Sequence, residues 1–175
     1  MLNLPATLCG VVLPMALVAA STPALSAQDT AHVVIVATTD VHGHATGWDF
    51  VTGMAYPGGL TRVGSVVDSL RRRFPGQVVL VDAGDLLAGD PFAAYFAAVA
   101  PQDPDPMVDA LNGLAYDAEV PGNHEFDFGV RFFRRAMNGA RYAVVAANLF
   151  GADGAPMFAP TTVIQRGGVK IAIGG

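Results

Sequence analysis

Cysteine is almost missing from this chain of 175 residues, which carries only Cys9. That residue sits inside an apolar leader, and Leu8 before it is too bulky for a convincing lipoprotein cleavage site. Beyond the leader neither a disulfide nor a thiolate ligand is available, so a metal ion must be held by His, Asp, Glu or Asn. Charge is sparse as well, at 14% of residues, and no block of like charge exceeds Arg71-Arg72-Arg73. A net charge of -5 and a pI near 5.1 argue against a partner that is a nucleic acid polymer gripped through its phosphates. A small phosphorylated ligand stays compatible, because a cation can supply the positive charge that Arg and Lys do not. No histidine follows His124, and there is no internal repeat, low-complexity tract or domain linker. The length fits one domain with a proper core.

The first 28 residues contain no acidic or basic side chain. Residues 11–20 form an apolar run, followed by Ser21, Thr22, Pro23 and the small-residue stretch Ala24-Leu25-Ser26-Ala27. This pattern is expected of a secretory signal over residues 1–27, cleaved near Ser26 or Ala27, with 28–175 as the mature chain. Pro5, Pro14 and Pro23 interrupt the segment, and its apolar core is short for a bilayer span, so a retained anchor is the lesser reading. The leader lacks the usual Lys or Arg: either the amino terminus alone supplies that charge or the start lies upstream. The expected location is periplasmic or extracellular, with membrane contact only through the signal segment.

From residue 31 the pattern alternates strand, loop and helix. Residues 33–36 are a β-branched run that predicts a strand buried on both faces, leading into the polar loop 38–47. Leu60, Val63, Val67, Leu70 and Phe74 recur at helical spacing, with Arg71 to Arg73 complementing the C-terminal dipole and Pro75-Gly76 ending the helix. A second buried strand is predicted over 78–81. Helices follow over 92–99, after Pro91, and over 107–112, opened by Asp105-Pro106 and closed by Gly113. A strand over 116–120, a helix over 130–137 and a strand over 142–146 come next. Residues 162–165 and 169–173 flank Arg166-Gly167-Gly168 as a β-hairpin. Such alternation predicts an α/β core whose ligand site lies at the C-terminal ends of the strands.

Three polar clusters sit at those ends: Asp40-Val41-His42, Gly84-Asp85 and Gly122-Asn123-His124-Glu125. Residues two apart on extended backbone face one side, so Asp40 and His42 can converge on a cation. Asp85 follows a glycine that permits a sharp turn, and its two oxygens can bridge two cations. Asn123 offers a neutral amide oxygen. Each cluster alone has a plainer explanation: chance for the first, a turn cap for Asp85, a left-handed turn for Asn123, an ordinary hydrogen-bonded His124. Their joint occurrence, each after a strand, favours a dinuclear metal site.

On these residues the chain resembles the calcineurin-like metallophosphoesterases, whose signature is D-x-H, then G-D, then G-N-H-[DE]. The longer strings Thr38-Thr39-Asp40-Val41-His42-Gly43, Val81-Asp82-Ala83-Gly84-Asp85 and Gly122-Asn123-His124-Glu125-Phe126-Asp127-Phe128-Gly129, with Ala146-Ala147-Asn148, resemble the secreted nucleotidase branch. Asp49-Phe50 and Pro156-Met157-Phe158 are most similar to bacterial 2′,3′-cyclic-nucleotide phosphodiesterase/3′-nucleotidases. The resemblance implies a layered β-sandwich flanked by helices, incomplete at the C-terminus, because the family's later histidine block and separate nucleoside-selecting domain do not follow here. It implies that Asp40, His42 and Asp85 hold one divalent metal and that Asp85 bridges to a second bound by Asn123, the ions being Mn, Zn, Fe, Co or Mg. His124 would stabilise the phosphoryl group or protonate the leaving oxygen, with Asn123 and His124 contacting the phosphate and Asp127 orienting His124; the plainer role for Asp127 is to cap the helix that begins near Gly129, and one carboxylate can serve both ends. The implied substrate is a small nucleotide or other phosphate ester. The alternative expectation is a truncated, non-catalytic exported domain binding at most one metal. His44 is expected to be solvated or to support a ligand, His32 to be structural, Glu125 to support its loop, Trp48 to pack in the core or a loop, and Asn148 to carry no catalytic role.

Overall fold

The computed structural model describes residues 30–101 and 104–175, so the leader lies outside the described residues. The chain runs β1 (Val34–Thr38), β2 (Trp48–Asp49), β3 (Met54–Ala55), α1 (Leu60–Arg73), β4 (Val78–Asp82), α2 (Pro91–Ala98), α3 (Pro106–Gly113), β5 (Ala118–Glu119), a single 3-10 turn (His124–Phe126), α4 (Val130–Met137), β6 (Ala143–Val144), β7 (Thr161–Arg166) and β8 (Val169–Gly174). Four strands pair in the order β1-β4-β5-β6, all parallel, so every one of their C-terminal loops opens at the same end. That shared end is where the three polar clusters fall.

The helices form for reasons written locally. In α1 the apolar residues at helical spacing bury Leu60 and Val67, and three arginines face the negative end of its dipole. Helices α2 and α3 each open on Asp-Pro. Asp90 accepts the Phe92 N–H at 2.7 Å and Asp105 the Met107 N–H at 2.9 Å, while proline at the first helical position has no N–H to leave unpaired. Packed between helices and sheet are Leu60, Val67, Leu80, Leu111, Phe133 and Met137 among others. Phe133 is fully buried, and truncating such a side chain to Ala costs about 3–5 kcal/mol.

Three expectations are corrected. β1 is not buried on both faces: Val34, Val36 and Thr38 are half-buried on one face, while Ile35, 68% exposed, lies on the other, which is open to solvent along this edge strand. Gly113 does not cap α3 but belongs to it; Leu114 closes the helix and Ala115 takes the left-handed conformation, φ 52°. Arg71 makes that ending tolerable by donating to the carbonyls of Leu114 and Ala115 at 2.7 and 2.8 Å. The strands expected over 116–120 and 142–146 shrink to two paired residues each.

The hairpin β7–β8 turns on Gly167-Gly168, both with positive φ as a two-residue turn of this kind requires. It is tied to the parallel sheet at its turn, where Gly167 N–H donates to Gly76 and Arg166 pairs with Asp117. At its open end Ala147 N–H donates to Gly175.

Candidate metal centre

Beyond their strands the first two loops remain zipped together by backbone. Ala83 N–H donates to Thr38, Asp40 N–H to Gly84, His42 N–H to Asp85 and Gly43 N–H to Leu86, at 2.8–3.0 Å. Maintaining this ladder where the strands have ended requires unusual dihedrals. Asp40, His42 and Asp85 have φ of 52°, 49° and 59°, and with Ala115 they are the non-glycine residues of positive φ among the described residues. Side chains with a β-carbon resist this region, and such strain concentrates at functional sites. The convergence of Asp40 and His42 therefore does not come from extended backbone with a period of two, as expected. The strand ends at Thr38, and two left-handed residues swing both side chains to one point.

At that point Asp40, His42 and Asp85 each present a donor atom, all within 4.8 Å of one another, the one such group among the described residues. His42 Nδ1 lies 3.0 Å from the Ala88 carbonyl, which can only accept, so Nδ1 carries the proton. Its Nε2 is left with a free lone pair 3.7 Å from Asp40 Oδ1, the tautomer a metal-binding histidine needs. Gly89, φ 126°, lets this segment approach: a β-carbon there would stand 2.7 Å from that of His42.

The third loop joins through a pair of glycines and one carboxylate. A β-carbon on Gly84 would collide with the Gly122 N–H, and one on Gly122 with the Asp85 carboxylate. Glu125 is fully buried and accepts four backbone N–H groups. Its Oε2 takes those of Asp85 and Gly122 at 2.9 and 2.6 Å, and its Oε1 those of Leu86 and Leu87 at 2.5 and 3.2 Å. It supports the loops, as expected, by joining the second to the third. His124 N–H in turn donates to Asp85 Oδ1 at 2.9 Å. Asn123 is exposed at the head of the 3-10 turn with right-handed φ −75°, so a left-handed turn does not explain it.

His124 stands beside the cluster, its ring 5.1 Å from that of His42. Its Nδ1 lies 2.8 Å from Asp127 Oδ2, and this hydrogen bond raises the imidazole pKa above its ordinary value. Asp127 does not cap α4, contrary to the alternative: Gly129 holds that position without a side-chain bond. His44 lies two residues past His42, half-buried. His32 stacks on Phe74 at 5.4 Å, and its Nδ1 lies 2.9 Å from Gln77 Oε1. Trp48 is 45% exposed in β2 rather than in the core, and Asn148 is exposed.

Sequence reasoning missed the acids beneath the loops. Thr38, Asp82 and Glu119 form one row across β1, β4 and β5. Asp82 accepts from Thr38 Oγ1 at 2.5 Å and from Gly84 N–H at 2.9 Å, and burial pushes its pKa up to about 6. Glu119 is fully buried, with neither oxygen hydrogen-bonded among the described residues, and burial pushes its pKa up to about 8. The Tyr142 hydroxyl is near enough to offset part of that rise but falls outside hydrogen-bonding geometry with it. The available signal was a lone charge inside a segment otherwise patterned as a buried strand.

Comparison with known proteins places the chain in the family that its motifs resemble. The family model described as calcineurin-like phosphoesterase matches residues 33–171. The trifunctional nucleotide phosphoesterase protein YfkN of Bacillus subtilis is 32% identical over 158 residues, which are 83% of this chain and 11% of that protein. The 2′,3′-cyclic-nucleotide 2′-phosphodiesterase/3′-nucleotidase of Haemophilus influenzae is 35% identical over 136 residues, 75% of this chain and 20% of that protein. Among solved structures, YfkN superposes with a TM-score of 0.72 at 28% identity, covering 82% of this chain and 46% of that one. The 5′-nucleotidase precursor of Thermus thermophilus gives 0.63 at 31% identity, covering 82% and 28%. The chain thus spans a fifth or less of the length of these two curated relatives. With its signature loops gathered at one end of a parallel sheet and residues 33–171 matched, the chain belongs to the calcineurin-like phosphoesterase family.

Proposed function

We propose that the protein is a divalent-metal-dependent phosphoric ester hydrolase acting on small nucleotides, of the 5′-nucleotidase or 2′,3′-cyclic-nucleotide phosphodiesterase/3′-nucleotidase type. The observation that carries this is the meeting of Asp40, His42 and Asp85 within 4.8 Å, each in a backbone conformation that folding alone disfavours. The family uses divalent metal ions, and the donor set fits one: two carboxylates and an imidazole whose tautomer leaves Nε2 free. In this reading Asp85 and Asn123 would hold a second ion, and Mn, Zn, Fe, Co and Mg all suit oxygen and imidazole donors. Divalent ions so held supply Lewis-acid charge for phosphoryl oxygens and a water of lowered pKa.

The chain's own residues supply the rest. Asp127 holds His124 through Nδ1 and favours its charged form, so Nε2 keeps a proton to give to the departing alkoxide. Glu125 fixes the spacing between the loop bearing Asp85 and the loop bearing His124 without touching substrate. Export through residues 1–27 belongs to the same reading, supported by the uncharged, apolar leader. Among the described residues no helix is long and apolar enough to cross a membrane.

The test is hydrolysis by the full-length protein of bis(p-nitrophenyl) phosphate, 5′-AMP, 3′-AMP and 2′,3′-cyclic AMP, after chelation and again with Mn²⁺ restored. Chelation should abolish turnover, Mn²⁺ should restore it, and H124A should lower kcat by about 10²–10⁴. Activity that survives chelation, or that D85A leaves unchanged, would refute the reading.

A further inference from the structure

His42 is held at three points. Its N–H donates to Asp85 at 2.8 Å and its ring Nδ1 to Ala88 at 3.0 Å, both bonds reaching into the loop after β4. The third point is its carbonyl, and the partner there is His44, whose Nδ1 lies 3.1 Å away. A carbonyl only accepts, so His44 carries its proton on Nδ1. The Asp90 carboxylate, with Oδ2 3.7 Å from the same nitrogen, favours that tautomer, and Asp90 is itself buried and fixed by the Phe92 N–H.

His44 is in turn secured from outside its own loop. The Tyr56 ring meets it edge to face at 4.6 Å, and its carbonyl accepts the Leu60 N–H at the start of α1, 3.0 Å. Gly43 between the two histidines has φ 79°, and a β-carbon there would stand 2.7 Å from that of Ala93. The tripeptide is therefore pressed against α2 while its two rings point to separate tasks. Holding the His42 carbonyl fixes ψ of a residue whose φ is already left-handed, which no local preference would maintain.

We propose that His44 is a positioning residue of the metal centre: its Nδ1–H clamps the His42 carbonyl and so keeps His42 Nε2 beside the Asp40 carboxylate. The proposal rests on the reading of Asp40, His42 and Asp85 as cation ligands. His44 itself is outside the donor group and takes no part in coordination.

Two substitutions separate the clamp from the ring. In H44N the amide nitrogen falls where Nδ1 was and can still donate. In H44Q the amide moves out to the position of Nε2, and a methylene faces the carbonyl. Both lose the contact with Tyr56 equally. The readout is Mn²⁺ affinity of the full-length protein, followed by the electron paramagnetic resonance signal of the free aquo ion, with D85A as the reference for a broken site. H44N should bind within about threefold of wild type, while H44Q should weaken binding about 10- to 100-fold, the usual effect of removing a group that orients a ligand. Should H44Q fail to fold, H44L takes its place: it matches H44N in shape but offers the carbonyl no donor and adds no charge. Equal affinities for the two variants, whether both normal or both weak, would overturn the proposal, as would tighter binding by H44Q. If wild type binds Mn²⁺ no better than D85A, the metal reading itself falls and takes the proposal with it.

Discussion

Glu119 makes the stability of this fold depend on pH in a direction opposite to that of most carboxylates. Its pKa is pushed up to about 8 by burial on the helix-facing side of the sheet, from an ordinary value of 4.5. Asp82 and Glu125 nearby push the same way. Between those two pH values the folded chain keeps a proton that the unfolded chain has released. Stability is therefore greatest below the unfolded pKa and falls as pH rises, by about 1.4 kcal/mol per unit for one proton. Integrated from pH 5 to pH 8, the loss is about 3–4 kcal/mol, a large share of the 5–15 kcal/mol typical of a domain. E119Q removes the titration while preserving shape. A buried amide brings its own fixed cost, so the informative quantity is the slope with pH rather than the level. Urea unfolding of metal-free wild type and E119Q at pH 5 and pH 8 measures it. The stability of E119Q relative to wild type should rise by about 3–4 kcal/mol between the two pH values. A change below about 1 kcal/mol, or one of opposite sign, would show that Glu119 is charged in the fold or partnered there.

Three further outcomes follow from the loops. D127A removes the hydrogen bond that raises the His124 pKa, so the alkaline limb of the kcat/KM profile should move to lower pH; an unmoved limb would deny His124 its role as acid. E125Q sets an amide N–H₂ against two backbone N–H groups that now meet a carboxylate oxygen, and chemical denaturation should show a loss of about 3 kcal/mol or more. G84A forces a β-carbon into the Gly122 backbone at φ 94° and should leave little folded protein, visible as loss of near-ultraviolet circular dichroism.

The element order was legible because apolar periodicity, Asp-Pro helix starts and glycine turns are local signals, and each of α1 to α4 falls where they place it. The placement of the candidate site was legible for a different reason: Asp40, His42, Asp85 and Asn123 each follow a strand of one parallel sheet. What the sequence concealed was set by contacts between loops. Nothing near Asp40 or His42 announces a left-handed backbone, since that conformation is imposed by the ladder to residues 84–86. Glu125 looked like a loop charge, yet its four donors come from two different loops. Ile35 read as core because β-branched runs usually are, whereas burial depends on what packs over each face of a strand, and β1 alternates half-buried and exposed. Glu119 escaped notice because its isolation is a property of the packed interior.

The backbone ladder and the Glu125 clasp also bear on how fast a cation can be captured. The bonds that order Asp40, His42 and Asp85 lie within the chain itself, so little chain entropy would be lost if these residues took up a cation. Capture would then be paced by the ion shedding its water shell, and slowly exchanging ions should load more slowly than labile ones.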